Sequence, residues 1–270
     1  MSGLIDVHVH AYPDEVAAAS MGWLVERGIT PAFGGTIADY PAAGPAATAI
    51  VTTNSRRPGK SAPAHRWLVE EIDAAPVPAL AWFFPDPRDP ANAENMAAAL
   101  RSERCAGIKL HPPFLGVAPT APVVEPVYAA AAAAGKPILM HVGLDPEEYG
   151  DARVERRWSG PAEAGPAVAA HPEATFLLAH LAGVEVDFDA ASALADLPNV
   201  WLDTALVPED LIARWVATRG SRRILFGSDF PVGDPVAEWA KLERCGIGAD
   251  DVLDAQRGLG LDNRRNEVSG

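Results

Sequence analysis

Residues 4–10 read LIDVHVH, an aliphatic run that closes on two histidines separated by a single valine. Seven further runs have the same character: TAIVTT (48–53), PALAWFF (78–84), AGIKLH (106–111), KPILMHV (136–142), TFLLAHL (175–181), NVWLDTA (199–205) and RILFGSD (223–229). Continuous apolar runs suit strands covered on both faces, as in a parallel sheet, better than the alternation of a half-wet antiparallel sheet. Helical stretches lie between them. Asp89-Pro90 opens NAENMAAALRSE, Gly135 closes VVEPVYAAAAAA and Gly220 closes PEDLIARWVATR, each a recognised helix boundary signal. Strand starts recur at roughly the thirty residues of one βα unit, and eight units close a (β/α)8 TIM barrel. A doubly wound open sheet often carries a Gly-rich turn after its first strand. Here that place holds His-Val-His.

No linker, charge block or fixed-period repeat divides the chain, so residues 1–258 are read as one barrel domain and 259–270 (LGLDNRRNEVSG) as a flexible tail. At 270 residues the length suits a single barrel. Two long connections, residues 11–47 and 143–174, would lie on the catalytic face.

With 36 acidic against 22 basic residues the formal net charge is -14, which repels phosphate backbones and anionic membranes. The expected partner is a small-molecule substrate, not nucleic acid or a membrane; a homodimer is compatible with the sequence. The opening MSGLIDVHVH has no basic region, apolar core or cleavage site of a secretory signal, so cytoplasmic residence is expected. Cys105 and Cys245, the two cysteines, are read as reduced thiols rather than a disulfide framework.

Polar groups gather at the C-terminal ends of the strand runs, where a barrel carries its chemistry. His8 and His10, two apart on a strand, point to the same side and can converge on one ion. His141, His180 and Asp229 each close an aliphatic run. Burying so many polar groups is costly unless something compensates them, and a divalent ion does so. Three imidazoles and a carboxylate that leave room for water make a catalytic rather than a closed structural site.

The ordered set IDVHVH, GIKLHP, PILMHVG, FLLAHLAG and LFGSDFP resembles the amidohydrolase superfamily, in particular the amidohydrolase-related branch that includes aminocarboxymuconate semialdehyde decarboxylase. The likeness runs from residue 4 to residue 233. It implies one divalent metal, Zn2+ with Mn2+ as the alternative, held by His8, His10, His141 and Asp229, with His180 at the metal-bound water or acting as a proton shuttle. Some relatives carbamylate a lysine on the fourth strand to bridge two metals; the mononuclear branch fits the remaining motifs better, so a second metal at Lys109 is not expected. The C-terminal segment VLDAQRGLGLDNRRN departs from the family pattern, and the long arm with its substrate-binding arginine has no match here.

Lys109 and His111 share one side of the fourth strand and are candidate substrate contacts, as are Asn54, Arg56 and Arg57 after the second strand and Trp158 after the fifth. Basic groups on the catalytic face of an acidic protein point to a carboxylate-bearing substrate. His65 and His171 are read as surface residues. The expected reaction is hydrolysis of a C–O or C–N bond in a small lactone, ester or amide, with Asp229 as general base toward a metal-activated water and His180 as oxyanion stabiliser or proton relay. The alternative is non-oxidative decarboxylation of an unsaturated or aromatic acid on the same site. A barrel that binds a ligand without turnover ranks third, because the water-activating groups are present.

Overall fold

The computed structural model describes residues 3–55, 59–143 and 160–261. Eight strands, β1 (Ile5–His10), β2 (Thr48–Thr52), β3 (Ala79–Phe83), β4 (Cys105–Leu110), β5 (Ile138–Met140), β6 (Phe176–Leu178), β7 (Val200–Asp203) and β8 (Ile224–Leu225), follow one another in sequence order in a single sheet, all neighbours parallel. The ring closes through the chain beyond β8: Val7 N donates to Phe226 O (3.0 Å), Asp229 N to His8 O (2.8 Å) and His10 N to Phe230 O (2.7 Å). This is the (β/α)8 TIM barrel that the eight runs predict.

Helices alternate with the strands: α1 (Asp14–Val25), α2 (Ser61–Glu71), α3 (Asn92–Leu100), α4 (Pro112–Leu115), α5 (Glu125–Ala134), α6 (Pro161–Ala170), the short left-handed turn α7 (Ala179–Gly183), α8 (Phe188–Ala195), α9 (Glu209–Arg219), α10 (Pro235–Arg244) and α11 (Ala249–Leu259). Gly135 caps α5 and Gly220 caps α9 at positive φ, as their positions predict. Among the described residues no helix is long and apolar enough to cross a membrane. Cys105 and Cys245 are not joined in a disulfide.

Two apolar layers follow from the strands having two faces. Inside the barrel Ile5, Val7, Ile50, Leu80, Trp82, Leu139, Leu177 and Leu225 fill the lumen, and Trp82 Nε1 donates to Val7 O at 2.9 Å, which satisfies the buried indole. Outside, the strands pack against the helices. The ordered barrel extends past residue 258. Leu259 and Leu261 pack on the lumen residues, and Gln256 ties α11 to the chain start through Ile5 N and Gly3 O, both at 2.9 Å. The helix therefore plugs the N-terminal end of the barrel. Residues 262–270 are outside the described set.

The C-terminal ends of two strand runs turn away earlier than predicted. β6 stops at Leu178, and His180, Leu181 and Ala182 take φ of 56°, 49° and 56°. β8 spans two residues, and Asp229 has φ 55°. Left-handed backbone at non-glycine residues costs about 1 kcal/mol or more each, so specific bonds must hold these turns; they converge on the site.

Candidate metal centre

β1 is irregular between Asp6 and Val9, and this shift in phase builds the site. Ile5 and Val7 face the lumen, whereas Asp6 lies on the outer side, where it accepts from Tyr40 Oη (3.0 Å), Ser228 N (3.0 Å) and His8 N (3.2 Å). Past the irregularity His8 and His10 turn inward together, their ring centroids 5.3 Å apart. Burial pushes the Asp6 carboxyl up to about 7 against those hydrogen bonds.

His8 is the hub. Its Nδ1 lies 3.0 Å from Asp203 Oδ2, its Nε2 2.6 Å from Lys109 Nζ and 3.6 Å from Asp229 Oδ1. Burial, reinforced by the Lys109 charge, pushes the imidazole down to about 3 despite Asp229 and Asp203. A neutral ring bonded to a carboxylate through Nδ1 carries its proton there and leaves the Nε2 lone pair facing the centre. His10 Nε2 lies 3.3 Å from Asp229 Oδ1, and burial also lowers its pKa. Burial would raise the Asp229 carboxyl, but His8, His10 and His180 together hold it well below the usual range.

His180 is seated by the end of β7. Its backbone N–H donates to Asp203 Oδ1 at 2.9 Å and its Nδ1 lies 2.7 Å from Ala205 O, so Nδ1 carries the proton and Nε2 faces His141 Nδ1 at 3.3 Å. The His141 ring lies flat on His111, centroids 3.9 Å apart and planes 5° from parallel. His111 also caps α4, accepting from Phe114 N at 3.4 Å; burial, with His141 and Lys109 nearby, holds it well below the ordinary histidine value.

The structure thus brings His8, His10, His141, His180, Asp229, Lys109 and His111 together. Ligand atoms of His8, His180 and Asp229 all lie within 4.8 Å of one another, a group that could hold a metal ion. His180, expected beside the ion, therefore stands as close to its partners as the ligands the resemblance implies. The donors suit a divalent cation: neutral imidazoles, an ionised carboxylate, and a buried His10 Nδ1 with no hydrogen-bond partner among the described residues. Asn54 sits just beyond β2, its Oδ1 facing Thr52 Oγ1 at 3.5 Å. Arg56, Arg57 and Trp158 lie outside the described residues.

Four residues escaped the sequence reading. Asp203 and Asp6 are carboxylates inside or beside strand runs, and their placement in NVWLDTA and LIDVHVH was the available signal. Tyr12, two residues past His10, has a phenol kept protonated by burial and by Asp229. Gly227 leaves room for the cluster, since a Cβ there would come within 2.9 Å of His8 Cβ and 3.1 Å of Asp203 Cβ. Conversely, His65 and His171 are not surface residues. His65 packs edge-on against Phe83, centroids 5.1 Å apart, and His171 is 8% exposed between Glu125 (3.3 Å) and Glu173 (3.2 Å).

A family model described as amidohydrolase matches residues 5–252. The chain belongs to the amidohydrolase family. The resemblance carried by the strand-end motifs holds, and membership makes the chain an enzyme of that superfamily. Comparison with curated proteins gave no match. Among solved structures the amidohydrolase is similar to 2,6-dihydroxybenzoate decarboxylase from Rhizobium (17% identity, TM-score 0.66, covering 97% of this chain and 100% of that one). It is also similar to 5-carboxyvanillate decarboxylase from Novosphingobium aromaticivorans with manganese and 4-hydroxy-3-methoxy-5-nitrobenzoic acid bound (14%, 0.66, 96% and 97%). A third is an uncharacterised TIM-barrel protein from Bordetella bronchiseptica (14%, 0.71, 99% and 99%). Hydrolysis, the reaction first expected from the sequence, is overturned: the named neighbours are mostly decarboxylases of aromatic acids. The residues at the strand ends are common to both chemistries, which is why they did not separate them.

Proposed function

We propose that this amidohydrolase is a metal-dependent, non-oxidative decarboxylase of an aromatic or unsaturated carboxylic acid. The observation that carries the reading is the convergence of His8, His180 and Asp229 at the barrel mouth with the Lys109 ammonium 2.6 Å from His8 Nε2. Such a site combines metal donors with a fixed positive charge, and so favours an anionic substrate. The manganese and the aromatic acid in the named neighbour support the same choice.

In this reading His8, His10, His141 and Asp229 hold one divalent ion, Mn2+ or Zn2+. A divalent ion held there would supply Lewis-acid stabilisation of the negative charge that an anionic substrate carries and develops. Lys109 and His111 border the carboxylate; Asn54, Arg56, Arg57 and Trp158 are the candidates for the far end of the ring. His180, its Nδ1–H held by Ala205 O at 2.7 Å, relays a proton through Nε2 to the carbon that loses CO2. Asp229 stays ionised as the carboxylate donor of the cluster.

The test is CO2 release from a panel of 2,6-dihydroxybenzoate, 5-carboxyvanillate and related hydroxybenzoates, with the protein loaded with Mn2+ or Zn2+ and with chelated protein as control. Metal-dependent release from at least one acid supports the reading. No release from any of them by fully loaded protein, together with turnover of lactones or amides, overturns it.

A further inference from the structure

β7 offers no ligand to the proposed metal, yet its last residue touches both sides of the site. Asp203 is fully buried. Its Oδ2 meets His8 Nδ1 at 3.0 Å, while its Oδ1 accepts from His180 N at 2.9 Å and Ala205 N at 3.1 Å. One carboxylate therefore holds the ring of a β1 histidine and the backbone of the left-handed turn that presents His180. Ala205 O, two residues on, takes His180 Nδ1 at 2.7 Å. The end of β7 consequently sets the same tautomer on both histidines, with the proton on Nδ1 and the Nε2 lone pair toward the centre.

We infer that Asp203 is the positioning residue of this site: it selects the His8 tautomer that can ligate through Nε2, and it anchors the strained turn that aims His180. The inference rests on the metal-site reading in its consequence for binding, but its tautomer component concerns the metal-free protein alone.

Asp203→Asn separates the two functions by chemistry. The amide oxygen can still accept from His180 N and Ala205 N, so the turn keeps its anchor. The amide NH2 then faces His8 Nδ1, which becomes an acceptor only if the ring proton moves to Nε2. That tautomer has no lone pair for a metal at Nε2.

The experiment uses the full chain. First, Mn2+ affinity is measured by titration calorimetry in wild type and Asp203→Asn; a loss of about tenfold to a hundredfold is expected with the melting temperature little changed. Equal affinity in a folded variant overturns the inference. Second, 15N spectra of histidine-labelled, metal-free wild type are expected to show His8, assigned through His8→Gln, protonated on Nδ1 and not on Nε2; the reverse tautomer overturns the inference even if Asp203→Asn fails to fold. Third, Asp203→Glu, which restores the charge, is expected to recover the Nδ1–H signal at least in part, and its failure to do so while folded counts against selection by the carboxylate. If wild type shows the expected tautomer but binds no Mn2+ or Zn2+, the metal reading falls and tautomer selection by Asp203 stands.

Discussion

The Lys109 ammonium lies 2.6 Å from His8 Nε2, the same nitrogen that faces Asp229 Oδ1 at 3.6 Å. A cation and the lone pair proposed to hold the metal thus share one position at the centre of the barrel mouth. Lys109 is fully buried, on β4, and a buried charge persists only with compensation; the ionised Asp229 carboxylate faces the same His8 nitrogen at 3.6 Å.

Replacing Lys109 by Met removes a positive charge that repels a divalent ion and attracts an anionic substrate. Lys109→Met is expected to bind Mn2+ about tenfold more tightly and to lose at least about tenfold in kcat/KM for an aromatic acid. Calorimetry and CO2 release measure the two effects separately. Weaker metal binding in a folded variant would show that the lysine supports the ion instead of opposing it.

The histidines divide into two classes by location. His8→Ala and His10→Ala are expected to lower metal content and activity together, because each loses an imidazole from the cluster. His171 stands at the C-terminal end of α6, before β6 begins, between Glu125 and Glu173; His171→Ala should retain metal and lose about 1 kcal/mol of stability. Elemental analysis and denaturant titration of the same preparations decide this. Metal loss in His171→Ala equal to that in His8→Ala would break the division.

Much of this division was readable from residue order. HxH on β1, His141, His180 and Asp229 were found because polar residues that end apolar runs stand out by type and place. Asp203 was passed over because LDTA looks like any strand end until His8, 195 residues earlier, is seen to face it; pairing across the barrel is not a local property. The early ends of β6 and β8 were hidden for a related reason. FLLAHL has strand composition throughout, and what holds His180 left-handed is the hydrogen bond its N–H donates to Asp203 on another strand. His65 was misjudged because a polar helix start says nothing of Phe83 beneath it.

His65 also makes pH dependence testable away from the metal centre. Burial lowers its pKa to about 4, while in the unfolded chain it titrates near 6.5. Between those values the unfolded state binds the proton and the folded state does not, so stability falls as pH drops from about 6.5 to about 4. His8, held down to about 3, adds to the same slope. His65→Phe removes one contribution, and its melting temperature relative to wild type is expected to improve on going from pH 7.5 to pH 4.5. A pH-independent difference would mean that His65 takes up its proton as readily in the folded protein as in the unfolded chain.

Asp229 provides the sharpest separation of charge from geometry. Its carboxylate faces His10 at 3.3 Å and His8 at 3.6 Å and is held ionised by them, so Asp229→Asn keeps the shape and one oxygen donor while removing the charge. The variant is expected to retain a measurable fraction of its metal and to lose at least about a hundredfold in turnover. His180→Ala is the complement: it should retain most of its metal, because the remaining donors persist, and still lose rate for want of the proton relay through Nε2. Metal content by elemental analysis and CO2 release on one substrate place both variants on the same two axes. If His180→Ala loses its metal as fully as His8→Ala, the ring is a ligand, in keeping with its place within 4.8 Å of His8 and Asp229, and the proton must come from another group, for which Tyr12 beside Asp229 is the next candidate.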